Sequence, residues 1–154
     1  MDMGSFFFKE RDKHMLRKTI KYTDYNGMSR EEAFDFHINK AELASLNLKY
    51  KGGLKEMLEF MARSEDGDGL VKFIKEIILM SYGVKEPGGK RFMKSEELRN
   101  AFEQSEAFSE LFMSLLGDAD ATAEFVKGIL PKDLNPDTVN AESPALNVID
   151  GGAN

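Results

Sequence analysis

Hydrophobic and polar residues alternate in two runs near the start of the chain, as they do along a β-strand with one buried face. The apolar residues of these runs are Leu16, Ile20 and Tyr22, then Phe34, Phe36 and Ile38. Between the runs lies Asp24-Tyr25-Asn26-Gly27, and an Asn-Gly pair readily supplies the positive φ angle of a tight turn. The pattern predicts a β-hairpin over residues 15–38, with residues 28–31 in an extended loop. A hairpin alone is marginal in water, so we expect its apolar face to pack on helices or to pair with another chain.

Beyond residue 38 the apolar residues recur at helical spacing. Asn39 and Glu42 have the spacing of a capping box, which predicts a helix over residues 40–48. The same spacing of apolar residues predicts a second helix over residues 54–63 and a third over residues 70–82.

The last helical part of the sequence covers residues 95–130. Ser95 precedes two glutamates, so it suits the N-cap of a helix whose first turn carries negative charge. Gln104-Ser105 is a candidate break within this part, which gives either five or six helices in the whole chain. The final helix is expected to begin at Asp118 or Asp120.

The two ends of the chain follow neither periodicity. Residues 1–14 hold Phe6-Phe7-Phe8 and a mixed charge run, and residues 132–154 are acidic and contain two prolines. We expect both ends to be flexible segments on either side of one domain, residues 15–131. The predicted fold class is α+β, mainly α, with an N-terminal β-hairpin packed on five or six short helices and a flexible C-terminal tail.

Charge and composition narrow the classes of function. The chain has 21 basic and 27 acidic residues, a formal net charge of −6, which argues against non-specific nucleic-acid binding. It contains no cysteine, so disulfides and thiolate metal sites are excluded. No apolar stretch approaches the roughly 20 residues that cross a bilayer, so no membrane association is expected. These features predict a soluble protein of the cytoplasm.

Candidate metal and catalytic motifs are each incomplete. Residues 64–69 match the start of an EF-hand loop, but its twelfth position is Lys75, where calcium needs a bidentate carboxylate. His14 and His37 lie in or beside the predicted strands without a third ligand, and we interpret them as exposed strand residues. No nucleophile, base and orienting group converge in the sequence. We therefore predict no metal, no cofactor and no enzymatic activity.

Several segments, in this order, resemble the tail assembly chaperones of long-tailed bacteriophages. They are Thr19-Ile-Lys-Tyr-Thr-Asp-Tyr-Asn-Gly27, Ala33-Phe-Asp-Phe-His-Ile-Asn-Lys-Ala-Glu-Leu43, Ile78-Leu-Met-Ser-Tyr-Gly-Val-Lys85, Gly89-Lys-Arg-Phe-Met-Lys-Ser-Glu-Glu-Leu98, Phe108-Ser-Glu-Leu-Phe-Met113 and Ala123-Glu-Phe-Val-Lys-Gly-Ile-Leu-Pro131. Together the segments span roughly residues 15 to 131. No single segment is a chemical motif, and the resemblance lies in their shared order.

The resemblance implies a non-enzymatic role in building the tail of a siphophage-like particle. Such a protein binds the tape measure protein and keeps it soluble until tail tube subunits polymerise around it. It acts in the host cytoplasm and is absent from the finished virion. Members of the family are often also made in a longer, frameshifted form that recruits tail tube protein, and a homo-oligomer is a further possibility.

The candidate partner-binding residues are apolar side chains on the helices after residue 95. The candidates, which line either the core or a groove for the partner, are Phe102, Phe108, Leu111, Phe112 and Phe125. Two other functions stay open from the sequence. One is a structural virion protein, such as a head-tail connector or minor tail component, and the other is a small cytoplasmic regulator or metal-binding module.

Overall fold

The computed structural model describes residues 15–49 and 67–131, with residues 52, 53, 56 and 59 between them. The predicted flexible ends, and all but two positions of the predicted helix 54–63, lie outside these residues.

The predicted β-hairpin is confirmed. Strand β1 (Leu16–Thr23) pairs antiparallel with strand β2 (Ser29–Phe36), in one register from Leu16 opposite Phe36 to Thr23 opposite Ser29. Along β1, Ile20 is buried while its neighbours Thr19 and Lys21 are exposed, as the alternation predicts. The two strands therefore present one apolar face to the helices.

The connecting loop is shorter than predicted. The Gly27 N–H donates to the Asp24 carbonyl, the Asp24 N–H donates to the Met28 carbonyl, and Gly27 has a φ of 83°. Ser29, Arg30 and Glu31, which were predicted to lie in the loop, belong to β2 instead. The prediction was wrong here because the exposed start of β2 carries polar side chains, and composition does not separate such a strand end from a loop.

Two short strands that the sequence did not predict extend the sheet. Strand β3 (Tyr82–Lys85) pairs with β2, and β4 (Phe92–Met93) pairs with β3, so the sheet is antiparallel in the order β1-β2-β3-β4. The predicted helix 70–82 is observed as Gly67–Ser81. Tyr82 leaves the helix because it pairs with the end of β2, opposite Phe36.

Five helices are described, in agreement with the predicted α+β, mainly α, fold class. They are α1 (Lys40–Lys49), α2 (Gly67–Ser81), α3 (Glu96–Glu103), α4 (Glu106–Leu116) and α5 (Ala119–Ile129). Helix α4 is central among them, because it contacts β1 as well as α2, α3 and α5.

The predicted helix caps at Asn39, Ser95 and Asp118 are confirmed, and Ser105, at the predicted break, caps a further helix. The Asn39 N–H donates to the Glu42 carboxylate and the Glu42 N–H donates to the Asn39 side chain, which completes the capping box of α1. The side chains of Ser95, Ser105 and Asp118 each accept the backbone N–H three residues later. The break at Gln104-Ser105 is thus real, since Ser105 begins a new helix.

The hydrophobic core lies between the sheet and the helices. Its least exposed large apolar side chains are Phe36, Ile38, Ile74, Ile77, Ile78 and Ile129. Backbone hydrogen bonds join the layers at the end of the hairpin: the His37 N–H donates to the Ser81 carbonyl, and the Ile38 N–H to the Ile129 carbonyl. Burial of each large apolar side chain here stabilises the folded state by about 1.5–3 kcal/mol. These contacts hold the hairpin against the helices.

Candidate protein-binding surface

The five predicted partner-binding residues divide between the core and the surface. Four of them are buried: Phe102 and Phe125 are 3% exposed, Leu111 is 4% exposed and Phe108 is 9% exposed. Phe112 is half-buried. In this conformation only Phe112 of the five reaches solvent to a substantial extent, and the partner-binding role of the set stays a prediction.

Phe102 lies at the centre of an aromatic cluster that joins α3 to the sheet. Its ring stacks on Tyr82 with centroids 4.4 Å apart and also contacts Phe34 at 5.1 Å, Phe36 at 5.9 Å and Phe108 at 5.8 Å. Burial in this cluster raises the pKa of the Tyr82 hydroxyl. The cluster fixes α3 and α4 against the strands, and so holds the outer faces of these helices in place.

The outer side of α4 carries apolar residues as well as charged ones. Phe112 stacks on Phe108 with ring centroids 5.9 Å apart, and the next residue, Met113, is 58% exposed. Leu116, one turn beyond Phe112, is half-buried. Helix α4 thus exposes apolar side chains to solvent in addition to the apolar stripe that it buries in the core.

The tip of the hairpin lies beside the start of α4. Tyr25 and Met28 are 76% and 61% exposed, and the Tyr25 hydroxyl donates a hydrogen bond of 2.8 Å to the Glu106 carboxylate. That bond raises the pKa of Tyr25. The sequence pattern places Tyr25 in a turn, and it predicts no partner-binding role for Met28 or Met113. Two features of the sequence could have identified these residues. Tyr25 and Met28 are large apolar side chains in or beside a polar turn, and Met113 is a methionine next to the buried stripe of a helix.

An open depression lies where the two strands approach α4. Its lining residues are Lys21, Tyr22, Thr23, Ser29, Arg30, Glu31 and Glu110. Within it, Tyr22 donates a 2.6 Å hydrogen bond to Glu32, which raises the pKa of the Tyr22 hydroxyl. The depression is lined by side chains of both charges and is continuous in sequence with the exposed hairpin tip.

The helices after residue 95 carry a large excess of acidic over basic residues. Their acidic residues are Glu96, Glu97, Glu103, Glu106, Glu110, Asp118, Asp120 and Glu124, against two basic residues, Arg99 and Lys127. This imbalance gives that side of the protein a negative potential, which attracts basic partners and repels phosphate backbones.

Lys94 is a half-buried charge with a structural role. Its ammonium donates to both carboxylate oxygens of Glu42 at 2.9 Å and to the His37 carbonyl at 2.7 Å, and it lies 5.7 Å from the centre of the Phe92 ring. Burial lowers the pKa of Lys94, while the Glu42 carboxylate opposes that effect. Lys94 follows β4 directly, and its contacts with Glu42 of α1 and with the His37 carbonyl therefore hold α1 against the sheet.

The described segments give no support to a metal site. Within residues 15–49 and 67–131, no three His, Asp or Glu side chains are grouped closely enough to hold an ion. Residues 64–66 of the EF-hand-like loop lie outside the described residues, and Lys75 forms a 3.0 Å ion pair with Glu103. His37 was predicted to be an exposed strand residue. It instead follows β2, is half-buried and has its ring edge-to-face with Phe92, because the chain turns inward there to join α2 and α5.

None of the helices described here has both the length and the apolar character needed to cross a membrane. A model of the protein family described as "Phage tail assembly chaperone" matches residues 15–149 of the chain. No significant match was found among curated proteins or among solved structures.

Proposed function

This chain belongs to the phage tail assembly chaperone family, and we propose that it binds the tape measure protein, keeps it soluble and helps to recruit tail tube subunits during tail assembly. The observation that carries the proposal is the family match, which covers residues 15–149 and so includes the whole hairpin and all five helices.

The physical character of the surface supports binding to another protein. A tape measure protein is a long helical chain with much apolar surface, which aggregates unless it is covered. Exposed Tyr25, Met28 and Met113 offer apolar contacts, and methionine adapts to irregular partners. The negative charge of α3, α4 and α5 would keep a complex dispersed in solution.

Further parts of the proposal follow from the same role. The protein acts without catalysis, in the host cytoplasm, and is absent from the mature virion of a siphophage. Tail tube protein is recruited through a longer, frameshifted form, and the chaperone also associates with copies of itself while it covers the long partner.

Among the five predicted partner-binding residues, we assign two kinds of contribution. Phe102, Phe108, Leu111 and Phe125 form the core that fixes the helices, since each is at most 9% exposed. Phe112, which is half-buried on α4, contributes its exposed edge to the partner. A charged substitution in the first group should unfold the protein, whereas Phe112→Ser should weaken binding while the circular dichroism spectrum keeps its folded form.

Co-expression with the tape measure protein from the same genome tests the proposal. The soluble fraction of the tape measure protein should rise, and the two proteins should purify together. The control is co-expression with an unrelated acidic protein of similar size, which should leave the tape measure protein insoluble. Equal solubility with both would contradict the chaperone role.

Quantitative mass spectrometry of purified particles separates this function from a structural role in the virion. The chain should be present in assembly intermediates and missing from mature particles. A fixed, stoichiometric copy number in mature particles would instead support a head-tail connector or minor tail component.

A further inference from the structure

Hydrogen bonds order the loop at the tip of the hairpin, and this loop exposes apolar side chains to solvent. The Asp24 carboxylate accepts the backbone N–H groups of Asn26 and Met28 at 2.9 Å each, and the Arg30 guanidinium at 2.6 Å. The hydrogen bond from Arg30 has the largest effect on the pKa of Asp24, and together these bonds hold that pKa below its usual range. Because the loop is already ordered, its exposed Tyr25 would lose little conformational entropy on binding.

Helix α4 continues this surface away from the tip. Tyr25 is joined to Glu106 by the 2.8 Å hydrogen bond, and Glu106, Glu110 and Met113 follow at spacings of four and three residues. Residues at such spacings share one side of a helix, and Met113 lies about 10 Å along the axis from Glu106. The tip and the outer side of α4 therefore form a continuous strip.

We name this strip the tip–helix surface, and define it as Tyr25, Met28, Glu106, Glu110 and Met113. Its three apolar side chains are each more than half exposed, at 76%, 61% and 58%. Two carboxylates separate the apolar groups at its two ends. Tyrosine is typical of the residues that dominate binding energy, and methionine adjusts to the shape of its partner.

The charge of the surface selects the kind of partner. Glu106 and Glu110, the two charged residues of this surface, are both acidic, and so is most of the charge on α3, α4 and α5. Of the basic residues in the depression beside Glu110, Arg30 is paired with Asp24 at 2.6 Å. An acidic helix, a nucleic acid or an anionic lipid surface would be repelled, whereas lysine and arginine side chains would be attracted. An amphipathic helix with apolar residues at spacings of three and four, flanked by basic residues, matches both the contacts and the charge.

We propose that the tip–helix surface is the docking site for a basic amphipathic helix of the partner chain. The proposal rests on the proposed function, and it specifies which segments of the tape measure protein the chaperone covers. The bound helix lies along α4, with apolar residues against Tyr25 and Met113 and basic residues against Glu106 and Glu110.

Two variants with matched controls test the surface. Met113→Lys is compared with Leu48→Lys, since Leu48 is 65% exposed on α1, and Glu110→Lys is compared with Glu97→Lys on α3. All four positions are exposed, so the circular dichroism spectra should match that of the wild type. The affinity of each variant for the purified tape measure protein is then measured by titration calorimetry.

The two tip–helix variants should each weaken binding by about tenfold or more, as expected for central contacts, while the two controls stay within about twofold of the wild type. Wild-type binding should also weaken as salt is raised. Equal losses in variants and controls, or none in either, would overturn the docking site while leaving the chaperone function standing. If the wild type itself fails to bind, both proposals fall.

Overlapping fragments of the tape measure protein provide an independent readout. Fragments captured by the wild type should be net basic, with an apolar stripe at helical spacing. The Glu110→Lys variant should capture less of these basic fragments than the wild type does. Selective capture of net acidic fragments would contradict the proposal.

Discussion

Replacement of Phe102 with alanine would remove the ring at the centre of the aromatic cluster. That ring is 3% exposed and contacts four other aromatic rings, with its closest partner, Tyr82, at a centroid distance of 4.4 Å. Those contacts connect α3 to β2, β3 and α4. The substitution therefore leaves a cavity that several elements share, and no single side chain can move to fill it.

The expected loss is in the free energy of unfolding. Truncation of a buried phenylalanine to alanine lowers the free energy of unfolding by about 3–5 kcal/mol, and the shared contacts place Phe102 toward the upper part of that range. A natural domain has only about 5–15 kcal/mol in total. Phe102→Ala should therefore lower the melting temperature by roughly 10 °C or more.

Urea denaturation followed by circular dichroism measures this loss. Met113→Ala is the control, because Met113 is also on the helical side of the protein but is 58% exposed; its free energy of unfolding should change by no more than about 0.5 kcal/mol. A Phe102→Ala variant as stable as the control would show that the Phe102 ring does not stabilise the core. If such a stable variant also lost its partner, Phe102 would be a binding residue and not a core residue.

Three further predictions concern the sheet, the turn and a helix cap. Gly83→Ala places a methyl group 2.7 Å from the Phe92 ring and should lower the free energy of unfolding by about 1–3 kcal/mol in urea denaturation; an unchanged midpoint would contradict this packing. Asp24→Asn removes the ion pair with Arg30, so its melting temperature should lie below that of the wild type at neutral pH. Because the folded-state pKa of Asp24 is lowered, that difference should shrink as pH falls below about 4 and through the folded pKa, and a pH-independent difference would exclude the carboxylate as its cause. Ser105→Ala removes the N-cap of α4 and should lower the free energy of unfolding by about 1 kcal/mol, and no loss would show that the cap is dispensable.

The parts of the fold that the sequence predicted correctly depend on local signals. Alternation reports the buried face of the hairpin, and Asn39, Ser95 and Ser105 act within three residues of their positions as caps. Strands β3 and β4 carry no such signal, because each is defined by only a few pairings with residues distant in the chain. The same reason explains why Tyr82 was predicted to be helical.

The candidate surface was harder to predict than the fold. The apolar stripe of the last helices was recognised, but periodicity does not say whether a stripe faces the core or a partner. The structure places Phe102 and Phe125 in the core and leaves Phe112 half-buried. Periodicity does not identify Tyr25 and Met113 as surface residues, because a single exposed apolar residue leaves no periodic pattern.

Light scattering during dilution of purified tape measure protein from denaturant tests directly whether this chain keeps that protein soluble. Adding this chain should suppress the scattering in proportion to its concentration, and a complex of the two proteins should then be isolated by size-exclusion chromatography. Aggregation at the same rate with and without the chain, and no complex on the column, would contradict the chaperone role.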